Sequence, residues 1–185
     1  MRIAGGEWRG RTLRVPAGDA VRPTQDRVRE ALFSMLRGEL AGAAFLDLFA
    51  GSGAVGLEAL SRGAARAVFV EVAPRHLACL QANVATLGAA PRGQVVRADV
   101  YAWLAGRQGD LFDIAYADPP YALGAERGYA QMLDQLAARG VVKPGGLFVA
   151  EMKGHQTPDV SPLWDLCRDR VYGQTRLAVY RRVED

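Results

Sequence analysis

Cysteine is almost missing from this chain: Cys79 and Cys167 are the only two among 185 residues. They lie far apart and outside any CxxC, so neither a disulfide framework nor a zinc site is indicated. Both read as packing residues. Histidine is equally scarce, and His76 and His155 stand alone, so no metal is expected. No apolar run approaches the length of a membrane span, because charged or Gly-rich stretches interrupt each one. The opening Met1-Arg2-Ile3-Ala4-Gly5-Gly6 lacks the apolar core of a signal peptide. Internal repeats and low-complexity tracts are absent, and no helix shows the surplus apolar stripe of an oligomer. These absences lead to the expectation of a cytoplasmic, reduced setting, no membrane and a monomer.

Lysine is also rare, limited to Lys143 and Lys153, so arginine carries most of the positive charge. The net charge is +3 and the sequence pI about 9.1, which alone would not announce a nucleic-acid partner. The distribution is more telling. Residues 1 to 29 hold Arg2, Arg9, Arg11, Arg14, Arg22, Arg27 and Arg29 against Glu7, Asp19 and Asp26. Two short strands around a Gly-containing turn are expected over residues 2 to 16. A ribbon that small cannot fold alone and must lean on the main domain. Arg9, Arg11 and Arg14 would then meet phosphate, or would simply solvate an edge hairpin and blunt aggregation. Length and apolar content allow one well-buried domain. The chain divides into a basic hairpin extension, 1–20, and a main domain, 21–185.

Thr24 can cap a helix whose apolar positions Val28, Ala31, Leu32, Met35 and Leu36 recur at helical spacing. From residue 44 onward short apolar strands alternate with longer helical stretches, the pattern of a parallel, doubly wound α/β sheet. Strands are expected at 44–49, 67–72, 94–98, 112–117 and 146–151, with closing strands at Val171 and at 175–180. Helices are expected at 55–61, 74–86, 101–104 and 130–138. Lys143-Pro144-Gly145-Gly146 reads as a turn ahead of the fifth strand.

The first strand runs into Asp47-Leu48-Phe49-Ala50-Gly51-Ser52-Gly53-Ala54-Val55-Gly56, a full GxGxxG between a strand and a helix. In that context the glycines let backbone approach a nucleotide-like ligand. Phe49, Ala50, Gly51, Ser52 and Gly53 would line the pocket. Eighteen residues beyond Gly53, Glu71 ends the second strand, where with Val72 it meets the ribose hydroxyls. Asp99, beside Val100 at the end of the third strand, is placed for an adenine amino group or for capping the next helix. These features suit NAD as well as S-adenosylmethionine. Asp47 separates the two: an acid ahead of the glycines repels a pyrophosphate and suits the ammonium of a methionine moiety. With Asp118 it also makes a favourable field for a sulfonium.

Asp118-Pro119-Pro120-Tyr121 follows the apolar run 112–117, at the carboxyl edge where open α/β sheets bind ligands. Methylation of an exocyclic amino group requires this set, because the nitrogen's lone pair is delocalised into the ring. Asp118 and a proline-stiffened carbonyl can accept its N–H groups and favour a pyramidal nitrogen, while Tyr121 stacks on the base. The bland alternative is an Asp capping a turn, prolines ending a strand and a packed tyrosine.

The set Arg22-Pro23-Thr24-x-Asp26-Arg27-Val28-Arg29-Glu30-Ala31-Leu32-Phe33, the Asp47 to Gly53 loop, Gly56-Leu57-Glu58-Ala59-Leu60-Ser61-Arg62-Gly63-Ala64 and the Asp118 tetrapeptide resembles the RsmD family. The likeness begins at Arg2-Ile3-x-Gly5-Gly6-x-Trp8-Arg9-Gly10 and runs almost to the C-terminus. It implies a class I, Rossmann-like S-adenosylmethionine-dependent methyltransferase with a seven-stranded, mostly parallel sheet, helices on both faces and a small N-terminal β-ribbon. The implied substrate is the N2 amino group of a guanine in bacterial 16S ribosomal RNA, conventionally guanine 966, in an assembled or nearly assembled small subunit. By the family pattern Asp47, Gly51, Gly53, Glu71 and Asp99 hold the cofactor, Thr24 and Arg27 close over its methionine end, Asp118 to Tyr121 hold the guanine, and the ribbon grips RNA backbone. Two rival readings stand beside it: an adenine-N6 or other amino methyltransferase acting on DNA or another RNA, and a non-catalytic RNA-binding assembly factor.

Overall fold

The computed structural model describes residues 1–16, 23–109, 111–120 and 129–184. Tyr121, Arg22 and the side chain of Thr24 lie outside the described residues. The fold divides into two compact units, Met1–Ala98 and Asp99–Asp185, and its sheet has seven strands.

In the first unit, β1 (Ala44–Leu48), β2 (Arg66–Glu71) and β3 (Gly93–Arg97) run parallel in the order β3-β2-β1. Every residue of β1 is buried, as expected of a parallel strand covered on both faces. Helix α1 (Pro23–Met35) buries Val28, Leu32 and Phe33 and leaves Ala31 and Met35 half-buried. It already includes Pro23, whose fixed φ suits a first helical turn, so Thr24 sits inside that turn and not ahead of it at the cap. Helix α2 (Ala54–Ser61) is buried on nearly all sides, and α3 (Pro74–Leu87) turns Leu77, Leu80, Asn83, Val84 and Leu87 inward.

The N-terminal ribbon is pinned by one antiparallel bridge, Arg2 to Thr12, where two short strands were expected. The chain between is turn, so few residues are left to pair. Ile3 and Leu13 are its buried anchors. The Glu7 amide donates to the Ser61 carbonyl at 2.8 Å and the Trp8 amide to Ser61 Oγ at 2.9 Å, which fastens the ribbon to the C-terminal end of α2.

The second unit contains α4 (Val100–Ala105), β4 (Phe112–Ala117), α5 (Ala130–Ala138), β5 (Val142–Lys153), β6 (Trp164–Tyr172) and β7 (Thr175–Arg182). Strand order is β4-β5-β7-β6, with β4 and β5 parallel and β7 antiparallel to both its neighbours. Phe148 is the centre of the core: the rings of Tyr129, Trp164 and Tyr180 each lie 6.1 Å from it.

Two further elements differ from expectation. The Lys143 to Gly146 stretch is an irregularity inside β5, which starts at Val142: Phe112 pairs with Val142, then Ile114 with Leu147. Strand β6 starts at Trp164, well before Val171, because it is exposed along most of its length and carries little apolar alternation to read. The register shift between Leu166 and Arg168 further changes which residues share a face.

Candidate functional site

The first unit builds its site where β1 passes into α2. Leu48 is the last residue of β1, and Phe49 then takes φ 61, a left-handed conformation that a bulky residue adopts only when its surroundings impose it. Gly53, at φ 80, precedes α2; a Cβ there would collide with Leu80. Asp47 is 1% exposed, and its Oδ2 accepts the Gly56 amide at 2.8 Å. Burial pushes its carboxyl up from 3.8 to about 8; the Gly56 hydrogen bond opposes this rise and the charge of Glu71 adds to it.

Glu71 is also buried, and its carboxylate closes the loop. Oε2 accepts the Gly51 amide at 2.8 Å, while Oε1 accepts the amides of Val72 and Ala73, both at 2.8 Å. Gly51, Glu71 and Val72 are therefore drawn into one hydrogen-bonded network, near enough to Asp47 for the charge of Glu71 to act on it. Val72 is 54% exposed. Ala50 is tied to β2 through its amide on the Val70 carbonyl at 3.1 Å, and the Ser52 carbonyl is held by Asn83. Arg27 is exposed on α1.

Sequence reasoning left Arg29 without a role. The structure buries it, at 5% exposure, with Nε 2.8 Å from Oε2 of the fully buried Glu58 and Nη2 2.6 Å from the Arg2 carbonyl. Arg62 reaches Glu58 Oε1 at 2.6 Å, and the Ala4 amide reaches Oε2 at 3.3 Å. This cluster joins the ribbon, α1 and α2. A charged residue in the otherwise apolar stretch of α2 is the signal that could have found it.

The ribbon's arginines divide by what they touch. Arg9, Arg11 and Arg14 are all exposed. Arg11 also donates to the Thr86 carbonyl at 3.0 Å, and Arg14 is held through its backbone by Asn83.

In the second unit Asp99 caps α4, its Oδ1 accepting the Ala102 amide at 2.9 Å; Val100 opens the helix and is buried. Asp118 follows the last residue of β4 and is exposed, Pro119 is buried and Pro120 exposed. Around this strand end lies a group the motif search missed. Tyr116, two residues before Asp118 and so of the same strand parity, donates its hydroxyl to Glu151 Oε2 at 2.6 Å. Burial holds Glu151 above the usual carboxylate range, and the Tyr116 hydrogen bond opposes that rise. The Tyr129 hydroxyl donates to the Glu151 carbonyl, and its amide donates to Asp159 Oδ2 at 2.7 Å. Burial first, then the charges of Asp118 and Glu151, push the Tyr129 hydroxyl well above its ordinary ionisation range. An acidic residue ending the buried run of β5 was the available signal.

Among the described residues no group of three or more His, Cys, Asp or Glu could hold a metal ion, and no helix is long and apolar enough to cross a membrane.

A strand-loop-helix with a GxGxxG and an acid on each flanking strand, together with an Asp-Pro-Pro strand end, defines a class I methyltransferase fold. Solved structures that share it include the following two. The yhhF protein of Escherichia coli is 39% identical, with TM-score 0.87, covering 100% of this chain and 99% of that one. SMU.776, solved in complex with SAH, is 19% identical with TM-score 0.67 and covers 87% and 50%, a likeness of fold alone. The chain belongs to the family described as Conserved hypothetical protein 95, the RsmD family, whose model matches residues 1–181. Ribosomal RNA small subunit methyltransferase D of Escherichia coli K12 is 39% identical over 183 residues, covering 98% of this chain and 90% of that protein.

Proposed function

We propose that this protein transfers a methyl group from S-adenosylmethionine to the exocyclic N2 amino group of a guanine in small-subunit ribosomal RNA. The observation that carries the reading is the strand end at Asp118-Pro119-Pro120, with the carboxylate exposed beyond a buried strand. The 39% identity to a protein named for ribosomal RNA small subunit methylation supports the substrate class.

The first unit's residues fit the cofactor. Asp47 is a buried carboxyl beside the N-terminal turn of α2, suited to an ammonium, and Glu71 holds the Gly51 amide where a ribose would lie against the loop. Phe49, Ala50, Gly51, Ser52, Gly53 and Val72 would form the surrounding wall. Asp99 keeps Oδ2 for an adenine amino group while Oδ1 caps α4, and Val100 supports it. Thr24 and Arg27 would close over the methionine end. When bound, the cofactor supplies an electrophilic methyl on a sulfonium.

The protein's own contribution is to orient the nucleophile. Asp118 accepts one N–H of the amino group and a carbonyl of the proline pair accepts the other, which turns the lone pair out of conjugation. Tyr121 stacks on the flipped base. After transfer the nitrogen is acidic and loses a proton to water or to Asp118. Arg9, Arg11 and Arg14, on an extension over residues 1–20, would grip phosphates around the target loop. A monomer working in the cytoplasm on small subunits completes this reading.

The test is methyl transfer from labelled S-adenosylmethionine to small subunits lacking their native methylations, with naked 16S RNA and DNA alongside, followed by nucleoside analysis. N2-methylguanosine on subunits is expected, and Asp118→Ala should abolish it while sparing part of the cofactor affinity. N6-methyladenosine, a preference for DNA, or activity surviving in Asp118→Ala would overturn the proposal.

A further inference from the structure

Asn83, on the inner face of α3, is 1% exposed and spends every polar atom of its side chain on two other segments. Its Oδ1 accepts the Arg14 amide at 2.8 Å. Its Nδ2 donates to the Arg14 carbonyl and to the Ser52 carbonyl, both at 2.9 Å. Only one orientation of the amide works, since the reverse would set NH₂ against an N–H and a carbonyl against two carbonyls. Cys79 Sγ donates to the same Arg14 carbonyl at 3.0 Å. Arg14 is the last of the three ribbon arginines, held by its backbone while the residue stays exposed. Ser52 sits between the two glycines of the cofactor loop.

We infer that Asn83 is a positioning residue that couples the RNA-gripping ribbon to the cofactor loop, so that cofactor and ribosomal RNA reinforce each other's binding. This inference rests on the proposed function. One buried amide fixes Ser52 and Arg14 relative to each other, so ordering either segment restrains the other. Restraint supplied by one ligand is restraint the second need not impose, and the effect must be reciprocal.

The experiment compares wild type, Asn83→Asp, Asn83→Ala and Val84→Ala by calorimetric titration with S-adenosylhomocysteine, by binding to small subunits, and by melting temperature. Val84 neighbours Asn83 on α3 and is 7% exposed, so its truncation reports loss of packing without loss of the link. Asn83→Asp keeps the shape and replaces two donated bonds by repulsion; Asn83→Ala removes the bonds without burying a charge. Both Asn83 variants should lose about tenfold in S-adenosylhomocysteine affinity, the worth of one or two buried hydrogen bonds. They should lose subunit affinity as well, and in wild type subunits should tighten S-adenosylhomocysteine binding, an effect lost in Asn83→Ala. Val84→Ala should lower the melting temperature and keep both affinities within about twofold, as for an uncoupled site. Equal S-adenosylhomocysteine binding by wild type and Asn83→Ala, or a parallel loss in Val84→Ala, overturns the inference alone. Wild type that binds no S-adenosylhomocysteine overturns the proposed function and the inference with it.

Discussion

At the scale of single residues, two buried acids have opposite uses. Asp47 holds its proton up to about pH 8 because burial disfavours the carboxylate. An unfolded chain releases that proton near pH 3.8, so this group's contribution to the stability of the ligand-free protein is complete below that value. It is lost as pH rises to about 8. An ammonium beside the carboxylate favours the charged form, so affinity for S-adenosylhomocysteine should rise with pH across the same window. Titration calorimetry at several pH values checks this, and Asp47→Asn should flatten the profile. Glu58, by contrast, is fully buried yet balanced by Arg29 and Arg62. Glu58→Gln leaves the buried Arg29 with only the partly exposed Asp26, 3.1 Å away, as counter-charge and should cost about 1–3 kcal/mol in denaturant unfolding. The place of Asp47 at the loop was legible in the sequence because it stands directly ahead of the glycines. Arg29 was not, since helical periodicity says which face a residue occupies but not whether a buried acid awaits it there.

Elements were legible to the extent that their apolar pattern was unbroken. Strand β4 and helix α5 fall on the expected residues because the one is a short, nearly continuous buried run and the other buries positions at helical spacing. Most of strand β6 ahead of Val171 escaped notice because an exposed edge strand needs no apolar alternation. The excursion at Lys143 to Gly146 read as a turn because Pro-Gly-Gly signals a bend, whether between elements or within one. The β1-α2 junction responds to space as well as pattern. A Cβ on Gly56 would press on Phe69 and lie 3.0 Å from Asp47 Oδ2. Gly56→Ala should therefore lower stability by about 1–3 kcal/mol, as overpacking does. Because the same methyl displaces the Asp47 carboxyl, S-adenosylhomocysteine affinity should fall with it, which calorimetry and thermal melting measured together will separate.

For the molecule as a whole, the charge of the ribbon sets the expected response to salt. If Arg9, Arg11 and Arg14 each neutralise a phosphate, the slope of log affinity for small subunits against log salt should become shallower by about 0.7–0.9 for each one replaced by alanine. Filter binding across a salt series measures this, and an unchanged slope for all three would return them to the role of solvated edge residues. The glycine loop after β1 and the Asp118 strand end were visible in the sequence because each is made of contiguous residues. The support beneath them was not: Asn83 lies 31 residues from Ser52, and Glu151 lies 35 from Tyr116. Such pairs are created by folding and leave no local trace. The Arg29-Glu58-Arg62 cluster carries this into heredity. A lineage that loses either Glu58 or Arg29 alone leaves a buried charge balanced only by a partly exposed partner, Asp26 or Arg62, so the two should be inherited as a block. Relatives should retain both or replace both with apolar residues, and intermediates holding only one should be rare.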